Sequence, residues 1–291
     1  MTWRIILQLA LSGLSIGSIY ALVGLALVLP FKASGIVNFA QGEMVTFGAY
    51  LALILSGFGL PYLAVVPLVL VGAAMFGMAI ERLLIRPIAN QPEFTLVIVT
   101  FAIGFIVKAA IRLHWQDNTF SIDAPFVGPP LVFSGLRLNP AYLVFILSTI
   151  VVVAVLFLFF SYSKFGKAMR ATALDPIAAK LMGVRVGSVF SAAWALSTML
   201  GAFVGLLLAP VIGINPEIGN LILKGLVAAV IGGFSSLGGA VAGGLLLGLL
   251  ETYAGAFFGA TFKNLVPFGV LILLLLLRPQ GLAGASSTRR V

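Results

Sequence analysis

The chain has no cysteine and only one histidine among its 291 residues. Without cysteine there is no disulfide framework, no thiolate nucleophile and no Cys-based metal site. His114 stands alone, without a second histidine or a close pair of acids at ligand spacing, so it is a poor metal candidate. It also offers little from which to build a Ser–His or Cys–His catalytic centre, and H-E-x-x-H is absent. The phosphate-cradling pattern G-x-x-x-x-G-K-[ST] is missing as well. Gly166-Lys167 is followed by Ala168, and position 161 is Ser161 rather than glycine. Any energy source for this chain must therefore be a partner or an ion gradient.

Charge is scarce too. Only 9% of residues are Asp, Glu, Lys or Arg, against about 25% in ordinary soluble domains. What replaces it is apolar: 61% of the chain is hydrophobic, with 33 glycines. A soluble fold of this size cannot hide so much apolar surface, so lipid must solvate most of it. Small residues also let membrane helices approach closely. The net charge of +9 is not a nucleic-acid patch, because the basic residues sit at the ends of apolar runs, where the positive-inside rule places them.

A crossing helix needs about 20 apolar residues. Clear candidates are 5–29, 61–80, 94–111, 140–160 and 188–211; shorter or Gly-interrupted ones are 42–56, 220–234, 238–254 and 265–277. The fold expected is all-α and polytopic, one membrane domain over 1–291 with eight to nine spans, some short or broken. The first run is too long for a signal-peptide core and reads as a retained span. Lys and Arg in loops 81–93 and 161–187 and in the tail (Arg278, Arg289, Arg290) assign these, and the C-terminus, to the cytoplasm. Loop 112–139, with Pro125, Gly128, Pro129 and Pro130, is assigned outside.

Lys164 to Gly187 is the anomaly, a polar island between apolar segments. It carries Lys164, Lys167, Arg170, Lys180 and Arg185 against one acid, Asp175. Residues 164–173 read as one short helix. Asp175 is placed to cap a second over Pro176–Met182, with Pro176 at its first position and Gly183 at the left-handed C-cap. So short a helix cannot stand alone in water. The apolar face bearing Ile177 and Leu181 must lie against the membrane domain, a partner protein or lipid headgroups.

Two further stretches break the apolar pattern, Asn38 to Glu43 and Gly232-Gly233, Ser235 to Gly239. Interrupted segments in both halves point to a midplane pathway in transporters; tight helix packing is the equal alternative. A charged side chain at bilayer-centre depth costs about 2.5–3.5 kcal/mol on insertion scales. Glu43 is therefore expected to face protein, water or a helix end. Capping a broken helix is favoured for it over lining a path. Asn38, Gln41 and Gly42 belong to the same break. Glu251 reads as a satisfied interfacial acid. Lys108 and Arg112 read as snorkelling to the interface, or as meeting an acidic partner, and the same pair of readings applies to Lys224 and Glu217.

The sequence resembles the permease subunits of ABC importers for branched-chain amino acids, of the LivH type. Three ordered stretches carry the resemblance. The first is Gly17-Ser18-Ile19-Tyr20-Ala21-Leu22, Gly35 through Glu43 and Gly48-Ala49-Tyr50. The second is Gly166, Lys167, Ala168, Arg170, Ala171, Asp175, Ala179 and Gly183 in the island. The third is Pro216, Gly219, Lys224-Gly225, Gly232-Gly233, Ser235, Gly239-Ala240, Gly243-Gly244 and Glu251. One departure is Gln41, where many members have His. The resemblance implies that Gly166, Lys167, Arg170, Ala171, Asp175, Pro176 and Gly183 form the loop on which ATP-binding subunits seat. It implies a second, homologous permease subunit, two ATP-binding subunits carrying ATP and Mg, and an extracytoplasmic solute-binding protein. It implies a non-catalytic transport subunit with no cofactor of its own in a prokaryotic inner membrane. Close relatives handle urea, short amides or other small solutes. A gradient-driven secondary transporter, with Glu43 as a coupling acid, is the alternative of another class.

Overall fold

The computed structural model describes residues 3–133, 136–278 and 281–283. Arg289 and Arg290, used above for orientation, lie outside the described residues. Apolar runs become helices because a backbone in lipid must satisfy its own hydrogen bonds. In order these are α1 (Trp3–Ser34), α2 (Gln41–Gly57), α3 (Tyr62–Ile80), α4 (Glu93–Trp115), α5 (Pro140–Tyr162), α6 (Lys164–Leu174), α7 (Pro176–Leu181), α8 (Val186–Ile212), α9 (Ile222–Gly232), α10 (Leu237–Phe258) and α11 (Ala260–Leu277). A π-turn (Glu81–Ile85) and a 3-10 turn (Arg86–Ile88) continue α3, and a 3-10 turn (Ile218–Leu221) precedes α9. A small antiparallel hairpin, β1 (Leu131–Phe133) with β2 (Leu136–Leu138), interrupts the long loop before α5. The chain is an all-α polytopic membrane protein.

Each of the nine apolar segments is helical, but they are not alike. Among the described residues, seven helices are long and apolar enough to cross a membrane: α1, α3 with its extension, α4, α5, α8, α10 and α11. α2, of 17 residues, and the segment Ile218–Gly232 are shorter. The eight to nine spans expected therefore divide into seven of crossing length and two short pieces.

The chain forms two compact units. The first comprises the described parts of Met1–Val28, Gly128–Thr149 and Leu223–Val291. Its core is a close approach of α1, α9 and α10 through small residues. A methyl group on Gly248 would lie 2.3 Å from the Gly17 nitrogen. One on Gly232 would lie 2.0 Å from the Gly239 carbonyl carbon, so no side chain fits at that crossing. Gly233, with φ of +88°, turns the chain between them. The segment 281–283 then pairs its amides with Ile231 and Gly232 carbonyls. Gly13-Leu14-Ser15-Ile16-Gly17 spells a nucleophile-elbow pattern, but it lies inside α1, where Gly13 and Gly17 pack on α10, with no strand or sharp turn to expose Ser15.

The second unit comprises Leu29–Val127 and Ile150–Ile222. It holds α2, α3, α4 and α8 around Met44, Ile80, Leu96, Ile103 and Trp194. It also holds the island and the Asn38–Glu43 break.

Candidate functional site

The island is two capped helices with different anchorage. Ser163 starts α6 by accepting a hydrogen bond from the Gly166 amide at 2.8 Å. Gly166 is glycine because a methyl there would lie 2.4 Å from the Phe159 carbonyl oxygen. Met169 is buried with Ala33, Val189 and Ala193, and Phe160 and Phe165 pack on the same cluster. Burying such a methionine contributes about 1.5–3 kcal/mol. α6 is therefore fixed to the ends of α5 and α8.

Asp175 caps α7: its Oδ1 accepts hydrogen bonds from the amides of Ile177 and Ala178 at 2.8 and 2.9 Å. Pro176 occupies the first helical position, where no amide is missed. Gly183 has φ of +83°, and the Val184 amide reaches back to the Ala179 carbonyl at 3.0 Å, closing a Schellman turn. Only Ala179 of α7 faces inward. Ile177 is 74% exposed and Leu181 83%. Leu174 and Met182 extend the same apolar surface. Lys167, Arg170 and Ala171 are exposed, and no ion pair among the described residues engages the island's cations.

At the far end of the island, Arg86 acts as a clamp that sequence reading missed. It forks onto Glu81 at 3.0 and 2.9 Å and donates to the Gly187 carbonyl at 2.7 Å. Ser191 bonds Glu81 at 2.6 Å. Glu81, 2% exposed, has its charge matched there. Arg86 was visible in the sequence only as an orientation charge; its spacing of five from Glu81, across a π-turn, was the available signal.

The second constellation is the break before α2. α2 begins beside Thr100 and Gly104, the latter midway along α4: Thr100 Oγ1 accepts from the Phe39 amide at 3.2 Å, and Phe39 stacks on Phe101 at 4.5 Å. Asn38 Oδ1 accepts from the Ala40 amide at 3.0 Å, and Asn38 Nδ2 donates to Gln41 Oε1 at 3.2 Å. Gln41 Nε2 donates to the Ser197 carbonyl at 2.9 Å, and the Ser197 hydroxyl donates to Gln41 Oε1 at 2.8 Å. Both side chains are buried; Asn38 serves the broken backbone and Gln41 ties it to α8. Gly42 lets α2 meet the turn at Ile218–Leu221, since a methyl there would lie 2.4 Å from the Gly219 carbonyl. Glu43 lies in the first turn of α2. Its Oε2 is buried without a hydrogen-bond partner among the described residues. Gly42 and Glu43 line a cavity of about 180 Å³ with Phe39, Phe101, Lys108 and Asn220.

Several charged residues have partners that the sequence did not reveal. Lys108 and Arg112 pair with Glu217 at 3.0 and 2.6 Å, and Arg112 also takes Asp117. The hydrogen bond from Lys108 holds the Glu217 carboxyl below the usual carboxylate range. Glu251 is satisfied, as expected, and it is fully buried within the protein. It accepts from the Tyr20 hydroxyl at 2.7 Å and pairs with Lys224. Lys224 thus serves neither of its two sequence readings. Gly232, Gly233 and Gly239 form the packed turn between α9 and α10, near Ser235, in a different unit from the Asn38–Glu43 break.

Residues 9–275 match the family model described as the branched-chain amino acid transport system / permease component. The chain is 32% identical to the high-affinity branched-chain amino acid transport system permease protein BraD of Pseudomonas aeruginosa, over 98% of each. It is 30% identical to the corresponding LivH of Salmonella typhimurium, covering 98% of this chain and 97% of that one. It is 32% identical to a probable LivH of Methanocaldococcus jannaschii, over 92% and 89%. The fold is shared with PsaBC from Streptococcus pneumoniae, solved in complex with Fab, at a TM-score of 0.52, 13% identity and coverage of 92% and 91%. The chain belongs to the family of branched-chain amino acid transport-system permease components.

Proposed function

We propose that this chain is the membrane-spanning permease subunit of an ABC importer for branched-chain or other apolar amino acids. It sits in a prokaryotic inner membrane beside a second, homologous permease subunit. An extracytoplasmic binding protein delivers the solute, and two separate subunits bind and hydrolyse ATP with Mg. This chain does no chemistry and carries no cofactor.

One observation supports this reading above the others: α7 presents Ile177, Leu181 and Met182 outward beside the unpaired Lys180 and Arg185. A six-residue helix with its apolar face exposed is incomplete without a partner. α6, pinned through Met169, and the Arg86–Gly187 clamp give that partner two fixed points from which to move α5, α8 and the end of α3. In this reading Gly166 seats α6. Asp175, Pro176 and Gly183 shape α7. Lys167, Arg170 and Ala171 face the ATPase.

The test is reconstitution with the partner subunits in proteoliposomes. Replacing both Ile177 and Leu181 with Asp removes two apolar anchors, each contributing about 1.5–3 kcal/mol. ATP-driven leucine uptake falls at least about tenfold while the membrane domain keeps its melting temperature. Valine and isoleucine compete with leucine, and urea and short amides do not. Leucine uptake without ATPase subunits, driven by an ion gradient, would replace this reading with a secondary transporter.

A further inference from the structure

Among the described side chains of the α2 break, from Asn38 to Glu43, only Glu43 has a buried polar atom without a hydrogen-bond partner. Asn38 serves the broken backbone, and Gln41 ties it to Ser197. The Glu43 amide bonds the Ala40 carbonyl. The Glu43 carboxylate takes no part in this, and its Oε2 has no partner among the described residues. Lys108, the opposite charge, lines the same cavity. Phe39, stacked on Phe101, lines it too, and so does the exposed Phe105.

Lys108 is held, but replaceably. Its partner Glu217 accepts from Arg112 through Oε1 at 2.6 Å and from Asn220 through Oε2 at 2.7 Å. If Lys108 turned to another anion, Glu217 would keep both of those donors and would not be stranded. The cavity, about 180 Å³, far exceeds the roughly 10–15 Å³ that one water needs on the same measure, so a small solute can enter it.

We propose that this cavity is a binding subsite for an apolar α-amino acid in its zwitterionic form. Glu43 receives the α-ammonium, Lys108 exchanges Glu217 for the α-carboxylate, and Phe39 and Phe101 take the side chain. A cavity lined by two opposite charges and aromatic rings selects a zwitterion over a plain amine or acid. A plain acid leaves the Glu43 carboxylate unpaired, and a plain amine leaves Lys108 on Glu217 and gains nothing from it. The inference rests on the amino-acid reading above and assigns residues to it.

The absence of cysteine provides the test. The nearest neighbours of a methyl at Gly104 would be Ala40 and Glu43, at 3.5 Å or more, so Gly104→Cys fits beside the Glu43 side chain. The full transporter carrying G104C is reconstituted, and modification of this chain by a methanethiosulfonate reagent is timed. Leucine at roughly ten times its dissociation constant slows labelling by about tenfold. 4-Methylpentanoate, which lacks the ammonium, and 3-methylbutylamine, which lacks the carboxylate, protect much less. Glu43→Gln in the same background abolishes protection by leucine. F105C serves as a second reporter. Leucine uptake is measured on the same vesicles. Uptake without protection at either cysteine overturns the subsite alone. Neither uptake nor protection overturns the amino-acid reading with it. Protection that survives Glu43→Gln removes Glu43 from the site.

Discussion

Glu251 shows how a single residue can change meaning between sequence and structure. It ends no apolar run in space. It lies fully buried, with the Tyr20 hydroxyl and the Lys224 ammonium as its partners. Removing one member of a buried pair strands the other, at a cost of about 3–5 kcal/mol, whereas replacing both by apolar groups costs far less. Lys224→Met is therefore expected to lower unfolding stability in detergent by about that amount, and Lys224→Met combined with Glu251→Leu to recover most of it. Equal losses for the single and double variants would show that the pair contributes little. Sequence patterns could not reveal this contact, because Tyr20 and Glu251 are 231 residues apart. No periodicity links residues at that distance. The same holds for Gln41 with Ser197 and for Lys108 with Glu217.

At the scale of elements, local chemistry was far easier to read. Asp175, Pro176 and Gly183 each act within a few residues of themselves, so both boundaries of α7 could be anticipated from their side chains. Ser163 obeys the same capping rule at α6 and escaped notice because it sits at the end of an apolar run. Gly183 has nothing within 4 Å of where a Cβ would stand, so only its backbone angle resists substitution. Gly183→Val should cost about 1–2 kcal/mol, and Gly183→Asn clearly less, since Asn tolerates the left-handed region. Amide exchange across 176–182 reports this directly: faster exchange in Gly183→Val than in Gly183→Asn is expected, and equal rates would remove the backbone argument. The break before α2 was legible as a composition change at Asn38–Gly42. That it falls beside Gly104, halfway along α4, was not.

Across the whole molecule, close helix packing and apolar surface divide the work. α1, α9 and α10 approach through glycines, whereas little of α5 and α11 is buried, as suits surfaces that face lipid or another subunit. Gly248→Leu would drive a side chain into the Gly17 backbone at 2.3 Å, whereas Gly238 has open space around it. Gly248→Leu is expected to abolish a monodisperse peak in detergent size-exclusion chromatography, and Gly238→Leu to leave it intact. Two intact profiles would mean that α1 and α10 can separate without loss of the fold. The amino-acid sequence by itself determined that this is a polytopic helical membrane protein, where its helices lie, and that a capped polar island divides them. Those properties follow from composition, hydrophobic run length and capping chemistry, all local along the chain. Only the tertiary structure decided which helices are too short to cross, which charges are paired, and that Glu43 and Lys108 line one cavity. Each of these depends on which distant segments meet, and in a chain so uniformly apolar only close packing specifies that.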